Sequence, residues 1–191
     1  MKKLLLMAFL MVQGLIFAQK PCEYGTNFTD SIGSYKETKQ KIVYEKNFAG
    51  TSHYIFFSLA DAGGTPHLNV QLIQKSKDFM KAVCFDSLSK VYLQLENGKI
   101  ATLLIAEEGN CGTSVRDESQ TANVRITAAS FLFMKNSIEE LKKSPVSIIR
   151  IKYAGETVDY IMKRQLNSEL NGEISYPQNF FIDHLGCILN N

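Results

Sequence analysis

The chain has no tryptophan, three histidines and four prolines in 191 residues. Aromatic packing therefore rests on 12 phenylalanines and eight tyrosines. Three short signatures are missing: His-Glu-x-x-His, Cys-x-x-Cys and Gly-x-Ser-x-Gly. Their absence removes the local marks of a zinc hydrolase, of a paired-cysteine metal or redox site, and of a serine nucleophile on a strand-to-helix elbow. Gly63-Gly64 joins two strand-like segments and opens no helix, so it reads as a hairpin turn and not as a phosphate loop. Glu107, Glu108, Asp117 and Glu118 lack the ligand spacing of a calcium loop and read as solvated charge. No metal and no cofactor is expected.

Long apolar runs are also missing after the first residues. Lys2 and Lys3 precede an almost wholly apolar stretch, 4–17, which ends at the small residue Ala18. A charged start, an apolar core and a small exit residue have the form of a secretory signal peptide over 1–18. The stretch is shorter than the roughly 20 residues a membrane-spanning helix requires. Gln19-Lys20-Pro21 before Cys22 does not suit lipid attachment. The expected product is soluble, periplasmic or secreted, with no transmembrane anchor. With Lys2 and Lys3 removed, 21 basic residues become 19, equal to the 19 acidic ones. A chain of zero net charge has no general attraction to nucleic acid, and none is expected as a partner.

All four cysteines, Cys22, Cys84, Cys111 and Cys187, lie beyond the leader. An even count in an oxidising compartment points to disulfides. Four cysteines allow three connectivities; we favour Cys111–Cys187, which would tie a polar, glycine-bearing loop to the C-terminal segment.

What the chain does contain is a series of strand patterns. Residues 19–40 are polar and read as a loosely ordered lead-in, with one domain over 41–191. Segments 42–48, 53–60, 67–75, 79–86, 90–96, 99–106, 123–134, 146–153 and 156–162 read as strands. In 67–75 Leu68, Val70 and Leu72 alternate with Asn69 and Gln71, the pattern of a half-buried strand. Asn97-Gly98 suits a two-residue type I′ turn, which sets Leu95 against Ile100, Leu93 against Thr102 and Val91 against Leu104, with Glu96 facing Lys99. A two-residue turn at Ala154-Gly155 sets Ile151 against Val158 and Ile149 against Tyr160. Ser137-Ile138-Glu139-Glu140 reads as a capping box opening a short helix that Ser144-Pro145 ends. In 177–189, Phe181, Leu185, Ile188 and Leu189 recur at helical spacing. The expected fold is α+β: a mostly antiparallel β-sheet, a short inter-strand helix and a C-terminal helix packed on the sheet. A β-sandwich is the alternative.

Few residues stand out as chemistry. His184 and Cys187 are three apart on the expected tail helix, a spacing that suits half a zinc site or a thiol–imidazole pair. The plainer reading, a partly exposed histidine beside a structural cysteine, is the one adopted. Tyr54, Phe56 and Phe57 form an aromatic run that would serve as a binding surface if exposed, although core packing is the plainer role. Asp30-Ser31-Ile32 and Asp86-Ser87-Leu88 match a short bacterial O-glycosylation pattern, with Ser31 and Ser87 as acceptors.

The runs SKVYLQLENGKIATLLI, SFLFMKNSIEELKKSPVSIIRI and NFFIDHLGCIL, within 79–189, resemble a class of small exported proteins of unknown function in Gram-negative bacteria. The resemblance implies a strand hairpin, a short helix before a strand and a C-terminal helix bearing a cysteine, and it implies no activity. The expected function is therefore non-catalytic: binding to a protein, to an envelope component or to a small ligand. The alternatives are a structural or accessory envelope protein, and an exported hydrolase or thiol enzyme with scattered residues.

Overall fold

Side chains that point alternately to the two sides of a strand bury every second residue of a 12-residue segment such as TPHLNVQLIQKS, and long strands of this kind organise the molecule. The computed structural model describes residues 21–31, 33–107, 109–119 and 121–189. The expected leader lies outside the described residues, as do Ile32 and Glu108. In chain order the strands are β1 (Tyr24–Thr29), β2 (Ser34–Thr38), β3 (Lys41–Phe48), β4 (Thr51–Ala62), β5 (Thr65–Ser76), β6 (Lys90–Leu95), β7 (Ile100–Ile105), β8 (Thr113–Asp117) and β9 (Ala122–Phe133). Helix α1 (Ser137–Leu141) follows, then β10 (Val146–Lys152), β11 (Thr157–Ile161), β12 (Leu166–Asn167), β13 (Ile174–Ser175), a 3-10 turn (Pro177–Asn179) and helix α2 (Phe180–Ile188). The fold is α+β, as expected. One 11-stranded antiparallel sheet replaces the β-sandwich alternative, in the order β1-β2-β4-β5-β9-β7-β6-β10-β11. One edge of β4 is shared by β2 and β3, and one edge of β9 by β7 and β8.

The sheet rolls. Tyr44 of β3 and Tyr160 of β11 stand far apart in the strand order, yet their rings meet edge to face at 4.9 Å. Inward side chains from Val43 round to Tyr160 form one core. Helix α2 fills part of the hollow: Phe180 and Phe181 pack on Phe57 at 5.5 and 6.1 Å, and Phe181 also meets Phe133 at 6.3 Å. Phe85 enters the same core from the 77–89 segment, against Phe131 at 5.5 Å and Tyr153 at 5.2 Å. Buried aromatic contacts of this kind favour such offset and edge geometries.

Several expectations are corrected. Residues 79–86 form no strand, because their backbone has no single neighbour to ladder with. The Phe85 amide donates to the Asn110 carbonyl, the Cys84 carbonyl accepts from Ala154, and the Val83 carbonyl accepts from the Thr127 hydroxyl. Residues 24–38, expected as a loose lead-in, form the β1–β2 hairpin, which joins β4. Ser137 and Glu140 build no capping box: Asn136 precedes the helix at φ 69°, the Ser137 hydroxyl donates to the Thr102 carbonyl, and Glu140 pairs with Lys99 at 2.8 Å.

The β6–β7 hairpin is one residue out of the expected register. Val91 faces Leu103, Leu93 faces Ala101 and Gln94 faces Ile100. The loop holds three residues, not two: the Leu95 amide donates to the Lys99 carbonyl and the Gly98 amide to the Leu95 carbonyl. Only Gly98 takes positive φ, at 82°; Asn97 instead uses its side chain to accept the Lys99 amide. A one-residue slip turns the whole strand over, so Ala101 and Leu103 are buried while Ile100 is 63% exposed and Leu104 is 38% exposed. The β10–β11 register is as expected, with Ile151 opposite Val158 and Ile149 opposite Tyr160. In denaturant unfolding, Leu103→Ala is expected to cost about 2–4 kcal/mol and Leu104→Ala less than about 1 kcal/mol. The reverse ranking would restore the two-residue turn.

Candidate functional site

The described chain forms a concave cleft where four segments meet: the extended start at Pro21–Glu23, the β2–β3 corner, the stretch around β13 and the 3-10 turn, and α2. Its volume is about 270 Å³. Ile42, Val43, Pro177 and Phe180 give it an apolar floor. Charged groups ring the mouth, among them Glu23, Lys39, Lys41, Glu173, Asp183 and His184.

Each wall has a local cause. Cys22 is bonded to Cys187 of α2, which pins the start of the chain to the helix. The Tyr24 hydroxyl adds a bond of 2.9 Å to the Cys187 carbonyl, and the Lys39 amide donates to the Glu23 carbonyl at 2.9 Å. The buried Ser175 hydroxyl donates to the Ile42 carbonyl at 2.7 Å and so locks β13 on β3. Pro177 begins the 3-10 turn that leads into α2, where a proline's missing amide hydrogen costs nothing. The Lys41 ammonium sits between Glu173 at 2.9 Å and Glu23 at 3.4 Å. Burial alone would lower the Lys41 pKa, but the two carboxylates outweigh it and hold the group above its ordinary value. Lys41 is thus a charged tie across the mouth. His184 lies edge-on to the Phe180 ring at 5.0 Å. The arrangement offers an apolar body site with fixed charges at its rim.

The expected site residues are scattered. Cys187 is bonded to Cys22 and Cys84 to Cys111, so the Cys111–Cys187 pairing is corrected, and no cysteine is free. The reason is tertiary. Residues 109–112 are held closely: a Cβ on Gly109 would collide with the Phe85 backbone, and one on Gly112 with the Ile126 carbonyl of β9. This brings Cys111 to Cys84 and leaves the N-terminal cysteine for α2. The sulfur of Cys187 carries no thiol for a pair with His184. Tyr54 and Phe57 are buried on opposite faces of β4 in separate clusters, and Phe56 is half-buried beside Tyr54. The short β12–β13 hairpin brings Leu166 over Tyr54 and Ile42, so the three rings form no exposed patch. Ser31 and Ser87 are exposed at turns. The Asp86 carboxylate is engaged inside its own turn, accepting from the Leu88 amide and the Ser89 hydroxyl.

His53, His67 and His184 are not gathered. Burial, with Lys46 adding to it, holds the His53 pKa below its ordinary value. Among the described residues no group of three or more His, Cys, Asp or Glu side chains has metal-binding geometry. No described helix is long and apolar enough to cross a membrane. Two disulfides with no free cysteine fit an oxidising, non-cytoplasmic compartment. Comparison of the chain with protein-family models, with curated proteins and with solved structures finds no match.

Sequence reasoning missed the cleft. Nothing local marks Lys41, because its partner, Glu173, is 132 positions away. The apolar pair Ile42-Val43 beside it was the one local signal.

A second polar cluster crosses the outer face of the sheet. Glu37 accepts from the Ser58 hydroxyl at 2.5 Å and from Asn69 at 2.9 Å on one oxygen, and from the Tyr35 hydroxyl at 2.9 Å on the other. Asn69 accepts in turn from Ser130 at 2.7 Å. Burial would raise the Glu37 pKa, but these donors outweigh it and hold the carboxyl below its ordinary value. Ser58 is fully buried and its hydroxyl is committed to Glu37, so the cluster joins strands and exposes no nucleophile. A depressed carboxyl pKa contributes stability above the unfolded-state value and loses it as pH falls through the folded value. Between about pH 5 and pH 3 the melting temperature of the wild type should therefore fall more steeply than that of Glu37→Gln. Parallel curves would show that Glu37 adds nothing to the acid response.

Proposed function

We propose that this chain is an exported, non-catalytic binding domain and that its ligand is a small amphipathic molecule held in the cleft beside Cys22–Cys187. The observation that carries the reading is the juxtaposition of an apolar floor, Ile42, Val43, Pro177 and Phe180, with a rim of charges fixed by the Lys41 tie. Ligand sites typically combine a mostly apolar lining with a few placed polar groups. Export is supported by the form of residues 1–18 and by the two disulfides. Anchoring both ends of the domain through Cys22–Cys187 keeps the walls together without ligand, which lowers the ordering cost of binding.

Ile174 lines the cleft and is largely exposed, so Ile174→Arg fills the mouth without disturbing the core. The neutral dye N-phenyl-1-naphthylamine is the probe. Saturable fluorescence enhancement is expected with the wild type, with affinity about tenfold or more weaker in Ile174→Arg and an unchanged melting temperature. No saturable binding by the wild type would remove the ligand site and favour a structural envelope role.

A further inference from the structure

The 77–89 segment carries a turn that holds its own shape and leaves three different groups uncommitted. Phe85 is buried, and the Asp86-Ser87-Leu88-Ser89 turn follows at once. The Ser89 amide donates to the Asp86 carbonyl at 3.0 Å and closes the turn. Asp86 Oδ1 accepts from the Leu88 amide at 3.0 Å and from the Ser89 hydroxyl at 2.9 Å, and Ser89 Oγ accepts the Asp86 amide at 2.9 Å. Aspartate and serine favour turns because their side chains bond the nearby backbone in this way. The base of the turn is fixed by Cys84–Cys111 and by the contacts of Phe85 with Phe131 and Tyr153.

These bonds use one carboxylate oxygen and the Ser89 hydroxyl. Asp86 Oδ2 and the Ser87 hydroxyl make no hydrogen bond among the described residues. Ser87 is exposed, and Leu88 is 62% exposed. A carboxylate oxygen, a primary hydroxyl and an aliphatic side chain thus stand in successive residues on a fixed support. The chain has two Asp-Ser pairs, and the other is housed alike. The Asp30 amide donates to the Gly33 carbonyl at 2.9 Å, the Asp30 carboxylate accepts the Gly33 amide at 3.1 Å, and Ser31 is exposed.

A serine that accepts a bulky group in a folded protein has to be accessible, and its hydroxyl has to be free of bonds that the fold needs. Ser87 meets both conditions. Ser58 and Ser175 meet neither, being buried with hydroxyls committed to Glu37 and to the Ile42 carbonyl. A three-residue acceptor pattern carries weight only in the right structural context, which for Asp86-Ser87-Leu88 is this exposed turn.

We propose that Ser87 is an O-glycosylation site, read by a transferase through Asp86 Oδ2 and the Leu88 side chain. The substrate is a sugar linked to a diphosphate carrier. The Ser87 oxygen bonds to the anomeric carbon, the bond from that carbon to the diphosphate breaks, the carrier leaves with its diphosphate, and the hydroxyl proton passes to a base of the transferase. No bond of the turn is lost, and no residue of the turn lines the cleft, so the ligand site stays open. The inference rests on the export reading and not on the cleft ligand.

The test is mass spectrometry of the full chain purified from the cells that naturally make it, intact and after reduction and trypsin digestion. Lys81 and Lys90 bracket Ser87, so the tryptic peptide 82–90 reports this site. The expected result is a chain lacking residues 1–18 whose peptide 82–90 is heavier than its amino acids by a saccharide. Ser87→Ala should leave that peptide unmodified. Asp86→Asn keeps a side-chain oxygen for the turn but removes the charge, and should lower the modified fraction about tenfold or more with an unchanged melting temperature. A bare peptide in a chain that has lost residues 1–18 overturns this inference alone. A bare peptide in a chain that retains them overturns the export reading as well. Sugar on peptide 82–90 of Ser87→Ala overturns the assignment to Ser87, and an unchanged modified fraction in Asp86→Asn overturns recognition through the carboxylate.

Discussion

Phe180 and Phe181 enter the hollow of the rolled sheet together and meet Phe57 and Phe133, and most of what distinguishes this molecule follows from that contact. A rolled sheet with an apolar inner face cannot remain open to water, and each buried phenylalanine contributes roughly 1.5–3 kcal/mol. Once the rings are seated, the remainder of α2 is placed. Cys187 comes to Cys22, the β1–β2 hairpin is held at the sheet edge, and the cleft appears between the helix and the β2–β3 corner. Loss of the ring contacts would loosen the helix, the N-terminal segment and the cleft as one unit. Phe85 plays a parallel part from the 77–89 segment, where Cys84–Cys111 holds the loops that carry it.

Polar groups are managed by position. On the outer face Glu37, Ser58, Asn69 and Ser130 exchange bonds across β2, β4, β5 and β9, so a buried hydroxyl and a half-buried carboxylate both find partners. Inside, the Tyr153 and Tyr160 hydroxyls meet each other at 2.9 Å, and burial pushes the Tyr160 pKa up to about 12, so both phenols stay neutral. At the cleft the Lys41 charge is tied to two carboxylates. Phe48 and Phe79 stand exposed, outside these arrangements.

Legibility varied with the range of the interaction. The β10–β11 register followed from a two-residue turn because Gly155 takes positive φ and the flanking residues alternate cleanly. The β6–β7 register did not, although Asn97-Gly98 carries a stronger turn signal. There the turn includes Glu96, and apolar residues on both faces of β7 make alternation a poor guide: Ile100 and Leu104 are as apolar as Leu103. The helical spacing of Phe181, Leu185 and Ile188 announced α2, which begins at Phe180. The cleft was not legible, because its walls come from residues 21–23, 38–43 and 173–187 and only the fold brings them together.

Local pattern was enough to show that strands dominate, that a short helix interrupts them, that an amphipathic helix lies near the C-terminus and that the cysteines are even in number. Those properties are written in local spacing and turn chemistry, which act over a few residues. Which cysteines pair, which face of β7 turns inward, where the sheet edges meet and where a cleft opens emerged from the folded arrangement. Each of those depends on groups far apart in the chain, and the closure of the sheet around α2 selects among arrangements that local preferences leave nearly equal.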